Sequence, residues 1–205
     1  MKIVQIAGYL GSGKTTLIIA LSRKVAEAGM KVAILVNDVG AVPVDGKVIE
    51  EYGLTVKDIG GGCICCQVAG TMIKTLETLA KGPKPEMIII EPTGIAVPES
   101  IRQTVMMNAG KTGAVLGPTI VLFDTTRTDK LLTYDTLKRL VTTQIRDADI
   151  VALSKVDLSS ADATDHAERA VRELNQTAKI IRLSTVTGEG LAVLADQMRE
   201  VTVQA

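Results

Sequence analysis

The chain has 205 residues, 46% hydrophobic and 22% charged, which supplies one sizeable core and excludes a disordered or fibrous composition. Twenty-three Lys and Arg balance 23 Asp and Glu, and the aromatics are Phe123, Tyr9, Tyr52 and Tyr134 alone, so both the basic footprint and the stacking platform of a nucleic-acid binder are missing. No apolar run approaches the roughly 18 residues of a membrane helix, and Cys63, Cys65 and Cys66 lie too close together to staple a fold.

In chain order, residues 2–7 read as a strand from the outset, without the regions of a secretory signal, so a cytoplasmic protein is expected. A helical pattern over 15–28 ends at Gly29, and a strand over 31–36 follows. Residues 36–62 are rich in Gly and Asp with weak periodicity, and a loop that long inside an α/β domain usually does something. The spacing then predicts a helix over 71–81, a Gly82-Pro83-Lys84-Pro85 break and a strand over 87–91. Residues 110–118 read as a separator before a strand over 119–124. A helical stretch around 131–145, a strand over 150–153, a helix near 162–174, a strand over 179–183 and a helix over 191–201 complete the order. Such alternation predicts the α/β class, with a mostly parallel β-sheet covered by helices on both faces, as a single domain over residues 1–205. Continuous runs such as Ile88-Ile89-Ile90 suit strands buried on both faces.

Gly8-Tyr9-Leu10-Gly11-Ser12-Gly13-Lys14-Thr15 matches the Gly-x4-Gly-Lys-Thr phosphate loop, with an apolar strand before it and an amphipathic helix after it. Gly8, Gly11, Ser12 and Gly13 let the backbone wrap a polyphosphate, Lys14 reaches its β and γ groups, Thr15 offers a hydroxyl to Mg2+, and Thr16 closes the run. A second magnesium ligand must come from the end of another strand. Glu91, closing the run 87–90 and opening Glu91-Pro92-Thr93-Gly94, is the candidate, with the Gly94 N–H facing a γ-phosphate. Asp38 in Val36-Asn37-Asp38-Val39-Gly40 also follows a strand, and Asp45 lies deeper in that loop, where Asp45-Gly46 also reads as a plain turn. Asp45 or Glu91 is the candidate for orienting an attacking water.

Ser154-Lys155-Val156-Asp157 follows the strand over 150–153, at the carboxyl edge where a nucleotide base would sit. The Asp157 carboxylate can accept from N1 and the exocyclic amine of guanine, a donor pair that adenine lacks, while the Lys155 stem lies along the purine. Ser184, Thr185 and Val186 form a second candidate base loop. Cys63, Cys65 and Cys66 can supply three soft ligands to Zn2+ or another thiophilic ion, or act as redox thiols. His166, the single histidine, is expected on a helix surface.

With these residues in place the chain resembles the nucleotide-binding domain of the CobW/HypB/UreG family of P-loop GTPases. The resemblance runs through GYLGSGKTT, VNDVG, GGCICC, IIIEPTGIAVPES, QIRDADIVALSKVDL and LSTVTGEG. It implies a slow GTPase of the SIMIBI type that delivers a metal or metal cofactor to a client metalloenzyme, as a homodimer, using GTP/GDP, Mg2+ and Zn2+ (or Co2+/Ni2+). Within it, Cys63, Cys65 and Cys66 hold the delivered metal and Asp38 and Glu91 help to place magnesium, so that residues 36–66 form a switch and metal-binding region. Ser154 stands where the family usually has Asn, which is expected to weaken one loop-bracing hydrogen bond. Two alternatives remain open: a GTP-gated chaperone of a cofactor-dependent client without metal delivery, and a small-molecule kinase whose lid charges would be Arg127, Lys130, Arg139 and Arg146. Those charges read more simply as a solvated helix face.

Overall fold

A computed structural model describes residues 1–36, 55–58, 67–82 and 84–200. Seven strands form one sheet: β1 (Lys2–Gly8), β2 (Val32–Val36), β3 (Thr55–Asp58), β4 (Met87–Glu91), β5 (Val115–Asp124), β6 (Ile150–Ser154) and β7 (Lys179–Leu183). Their spatial order is β3-β2-β4-β1-β5-β6-β7, and every neighbouring pair is parallel. The helices are α1 (Lys14–Glu27), α2 (Gln67–Lys81), α3 (Pro98–Thr112), α4 (Thr128–Thr133), α5 (Asp135–Arg146), α6 (Ala161–Leu174) and α7 (Leu191–Arg199).

Period-two alternation sends successive side chains of the central strands to opposite faces. Val4 and Ile6 of β1 join Ile34, Ile89, Ile120 and Ala152 beneath α1 and α7, through Leu17, Leu21, Leu194 and Met198. On the opposite face Ala7, Val121 and Phe123 pack under α5 and α6, and Ile3, Leu35 and Ile88 under α2 and α3. The chain leaves β1 toward β2 on one side and later crosses to β5 on the other. The carboxyl end of β1 is therefore the crevice in which α/β sheets hold ligands.

Three expectations change. The stretch over 36–62 is not all loop, because Thr55–Asp58 pairs with β2 as an edge strand. The break over 110–118 is shorter than expected: α3 runs to Thr112, Gly113 caps it with a left-handed φ of 63°, and β5 starts at Val115. Pro118 lies inside that strand because pairing with β1 shifts between Ile3 and Gln5, a bulge that tolerates a residue with no N–H. The helical stretch over 131–145 is two helices, with Tyr134 extended between them (ψ 116°). Among the described residues no helix is long and apolar enough to cross a membrane.

Candidate functional site

The carboxyl ends of β1, β4, β5 and β6 deliver Gly8, Glu91, Asp124 and Ser154 to one edge of the sheet. Gly8, Gly11 and Gly13 take φ values of 138°, 75° and 97°, conformations that side-chain-bearing residues rarely adopt, and this left-handed path wraps the loop over the start of α1. Nothing caps the first turn of α1 through a side chain, which leaves its N–H groups and positive dipole end facing the concavity. Lys14, at that N-terminus, is only 8% exposed. Burial pulls its ammonium pKa below the ordinary value, and the nearby Glu91 carboxylate opposes that shift.

The Thr15 hydroxyl donates to Glu91 Oε1 at 2.9 Å, joining two oxygens from positions 76 residues apart. Burial raises the Glu91 pKa, with the Thr15 hydrogen bond and the Lys14 charge working against it. A carboxylate and a hydroxyl in contact, beside a desolvated ammonium, suit a hard divalent cation bridging to an anionic ligand. Ser12 Oγ is buried with no hydrogen-bond partner, a further polar atom that this loop leaves to a ligand. Gly94 follows Glu91 closely and faces the loop, since a Cβ there would meet the Leu10 nitrogen at 2.9 Å. Gln144, 1% exposed on α5, donates through Nε2 to the carbonyls of Gly94 (3.2 Å) and Ala96 (2.9 Å) and so fixes that turn.

The base side is tied to the phosphate side. Lys155, left-handed at φ 63°, donates to Gly11 O and to Asp124 Oδ2, both at 2.8 Å. Ser154 Oγ donates to Ser12 O at 3.0 Å, so the serine itself braces the loop. Asp157 follows on an exposed 3-10 turn, Val156–Leu158. Ser184 is 1% exposed, and its Oγ accepts from the N–H groups of Val186 and Thr187 (both 3.1 Å), building a turn that leaves Val186 82% exposed. Thr16 is exposed on α1 and Thr185 half-buried in the last loop. His166 is exposed on α6, as expected, and its Nε2 lies 3.0 Å from Asp129 Oδ1.

Asp38, Asp45, Cys63, Cys65 and Cys66 lie outside the described residues. Among the described residues no group of three or more His, Cys, Asp or Glu side chains gathers as a metal site. Asp124 is absent from the candidates read from the sequence, and Arg127 enters there only as a lid charge of the kinase alternative or as part of a solvated helix face. Asp124 is 0% exposed and binds both Arg127 Nε and Lys155 Nζ through Oδ2 at 2.8 Å. Burial alone would raise its pKa, but the hydrogen bonds from Lys155 and Thr126 and the Arg127 charge outweigh it and hold the carboxyl below its ordinary value. Arg127 is thus not part of a solvated helix face. The signal for Asp124 was its place as an acid closing an apolar strand, the same signal that marks Glu91.

The sheet order, the left-handed glycine loop and the strand-end acid together define a P-loop nucleoside-triphosphatase domain. More particularly, the chain belongs to the CobW/HypB/UreG family, whose nucleotide-binding domain model matches residues 2–182. It is 31% identical over 190 residues to the zinc-regulated GTPase metalloprotein activator 1 of Schizosaccharomyces pombe, covering 86% of this chain and 44% of that protein. Over 96 residues it is 43% identical to the Escherichia coli zinc chaperone YeiR, covering 47% of this chain and 29% of the relative. The chain therefore spans less than half the length of these two relatives. Its fold is similar to that of the hydrogenase maturation factor HypB from Archaeoglobus fulgidus, with a TM-score of 0.67 at 21% identity over 97% of this chain and 89% of that one. The Zn(II)-bound YjiA GTPase from Escherichia coli also gives a TM-score of 0.67, at 23% identity over 88% and 56%.

Proposed function

We propose that the chain binds GTP with Mg2+ at this edge, hydrolyses it slowly, and uses the nucleotide state to control a thiophilic ion, Zn2+ or else Co2+ or Ni2+, destined for a client metalloenzyme. The observation that carries the nucleotide half is the Thr15–Glu91 contact at 2.9 Å beside the buried Lys14. In this reading Thr15 and Glu91 hold the cation with Asp38, and Lys14 offsets charge on the outer phosphates. The N–H groups of Gly11, Gly13 and Gly94 face phosphate oxygens. Magnesium, when bound, neutralises charge that develops between the outer phosphates. Asp45 or Glu91 orients the attacking water, and Asp157 selects guanine, with Lys155 and the loop Ser184-Thr185-Val186 shaping the base site.

The metal half rests on Cys63, Cys65 and Cys66, which follow the stretch that begins directly after β2. In this reading residues 36–66 act as a switch: contact with the third phosphate sets the geometry of the three thiolates, and hydrolysis releases it. Relatives named zinc chaperone and zinc-regulated GTPase metalloprotein activator support a cargo that is a metal ion handed to a client. The active form in this reading is a homodimer in the cytoplasm. Zn2+ affinity measured with a non-hydrolysable GTP analogue and again with GDP tests the coupling, because equal constants leave nothing to couple. Asp157→Asn should shift preference from guanine to xanthine nucleotides. An unchanged GTP preference, or ATP binding as tight as GTP, would overturn the base assignment.

A further inference from the structure

Three successive peptide carbonyls of the glycine loop are held from outside the loop by three different side chains. Arg127 Nη2 donates to Leu10 O at 3.0 Å, Lys155 Nζ to Gly11 O at 2.8 Å and Ser154 Oγ to Ser12 O at 3.0 Å. A trans peptide is planar, with its N–H opposite its C=O, so a carbonyl held on the outside turns the next residue's N–H inward. The Leu10 carbonyl shares its peptide with the Gly11 N–H, and the Ser12 carbonyl with the Gly13 N–H. The intervening Ser12 N–H closes the loop by donating to Tyr9 O at 3.2 Å.

We infer that Arg127, anchored on Asp124, is a positioning residue of the phosphate loop: it holds the Leu10 carbonyl outward so that the Gly11 N–H faces the ligand. The inference rests on the phosphate-binding reading above. Asp124 makes the anchor rigid, since every donor bond it accepts is local or shared with the loop brace. Its Oδ1 takes the N–H (3.0 Å) and hydroxyl (2.6 Å) of Thr126, and its Oδ2 takes Arg127 and Lys155 at 2.8 Å each. The carboxylate is fully buried and locked, so the planar guanidinium has one orientation, Nε toward Asp124 and Nη2 toward Leu10. The same plane covers Gly11, lying 3.5–3.9 Å from where a Cβ would stand. That contact confines an exposed glycine of the loop, whose left-handed φ of 75° costs a glycine little to leave. A lysine could replace the charge but not the fork, because one ammonium cannot span Asp124 and Leu10 in a fixed plane.

The test uses the full chain, with fluorescent GDP as probe and the amide resonances of glycine-labelled protein as a second readout. Arg127→Ala should bind GDP about tenfold to a hundredfold more weakly, the size expected for one lost charge-assisted hydrogen bond. Low-millimolar guanidinium should recover part of that loss in the variant and add nothing to the parent. The Gly11 amide resonance should move in Arg127→Ala and return with guanidinium, while that of Gly110 in α3 stays in place. Arg127→Lys should show the same loss and serves if the alanine chain fails to fold. GDP binding within twofold of the parent, together with an unmoved Gly11 resonance, would overturn the inference. If the parent itself fails to bind GDP, the nucleotide reading falls, while the Gly11 resonance still decides whether Arg127 orients that peptide.

Discussion

Gly94→Ala perturbs the closest approach between the two loops of the site. A methyl group built there would lie 2.7 Å from Leu10 Cδ2, 3.0 Å from Leu10 Cγ and 2.9 Å from the Leu10 backbone nitrogen. The first two contacts are cheap to relieve, because the Leu10 side chain is 55% exposed and can swing into solvent. The third is not. The nitrogen belongs to a loop braced by Arg127, Lys155 and Ser154, and the turn carrying Gly94 is held from behind by Gln144. The approach is roughly 0.6 Å inside an ordinary contact of about 3.5 Å, so the two loops must separate by about that much. Overpacking of this kind costs about 1–3 kcal/mol, and a chain of this size loses about 2–4 °C in melting temperature per kcal/mol. Gly94→Ala should therefore melt about 2–12 °C below the parent and bind a GTP analogue more weakly than GDP, each relative to the parent. The control is Gly110→Ala, in α3 with no atom within 4 Å of the added methyl. It should gain about 0.5–1 kcal/mol through helix propensity alone. If Gly94→Ala melts with the parent and keeps its preference for GTP over GDP, the two loops are not in rigid contact and the reasoning fails.

Gln144→Leu removes the donor to the carbonyls of Gly94 and Ala96 from a buried position, which should cost about 1–3 kcal/mol in a urea or thermal melt; an unchanged midpoint would mean that the turn is held by other bonds. Ser154→Ala strips one brace from Ser12 O and should cost about 1 kcal/mol while weakening GDP binding by less than Arg127→Ala, since the neighbouring Lys155 brace remains. Asp147, at the end of α5, has a pKa raised above 3.8 by burial and by the like charge of Glu99, against the hydrogen bond from the Glu99 N–H and the Arg102 charge. A raised folded-state value means that its contribution to stability is fully present below pH 3.8 and is lost as pH rises through the folded value. Asp147→Asn keeps an acceptor for the Glu99 N–H, so its melting temperature should gain on the parent as pH rises from 3.8 toward neutrality; a gap that narrows over that range would contradict the sign.

Met87–Glu91, a central strand, was legible because its apolar run is uninterrupted; Lys179–Leu183, an edge strand with Lys179 and Arg182 exposed, was legible from its β-branched residues between turn signals, and both have the bounds that the residue pattern alone suggests. α3 was not legible. Its buried positions are only Pro98, Val105 and Thr112, and Met106 and Met107 are exposed, so no stripe of helical period stands out. Only Pro98 at its first turn and Gly113 just past its end mark it. Pro118 hid the first half of β5 because a proline reads as a breaker unless the bulge that accommodates it is known, and a bulge is a property of two strands at once.

The site divides along the same line. The groups proposed to face a phosphate from the glycine loop, Gly11, Gly13, Lys14 and Thr15, are within five residues of one another, and so a short motif encodes them. The groups that hold the backs of those peptides are not. Arg127 reaches Leu10 across 117 residues, Lys155 reaches Gly11 across 144, and Gln144 reaches Gly94 across 50. What brings them together is strand order, β4-β1-β5-β6 at the centre of the sheet, because each brace leaves from just beyond a strand end or from the helix packed above it. A local spacing rule has no access to that order. A carboxylate closing a buried apolar strand does signal it indirectly, since burying such a charge costs energy unless partners converge on it. Glu91 and Asp124 both end apolar strands, one accepting from the Thr15 hydroxyl at the start of α1 and one from the Arg127 and Lys155 side chains that hold the loop's carbonyls. Their roles separate only once Lys14 and Thr15 are seen beside the first, and Arg127 and Lys155 beside the second.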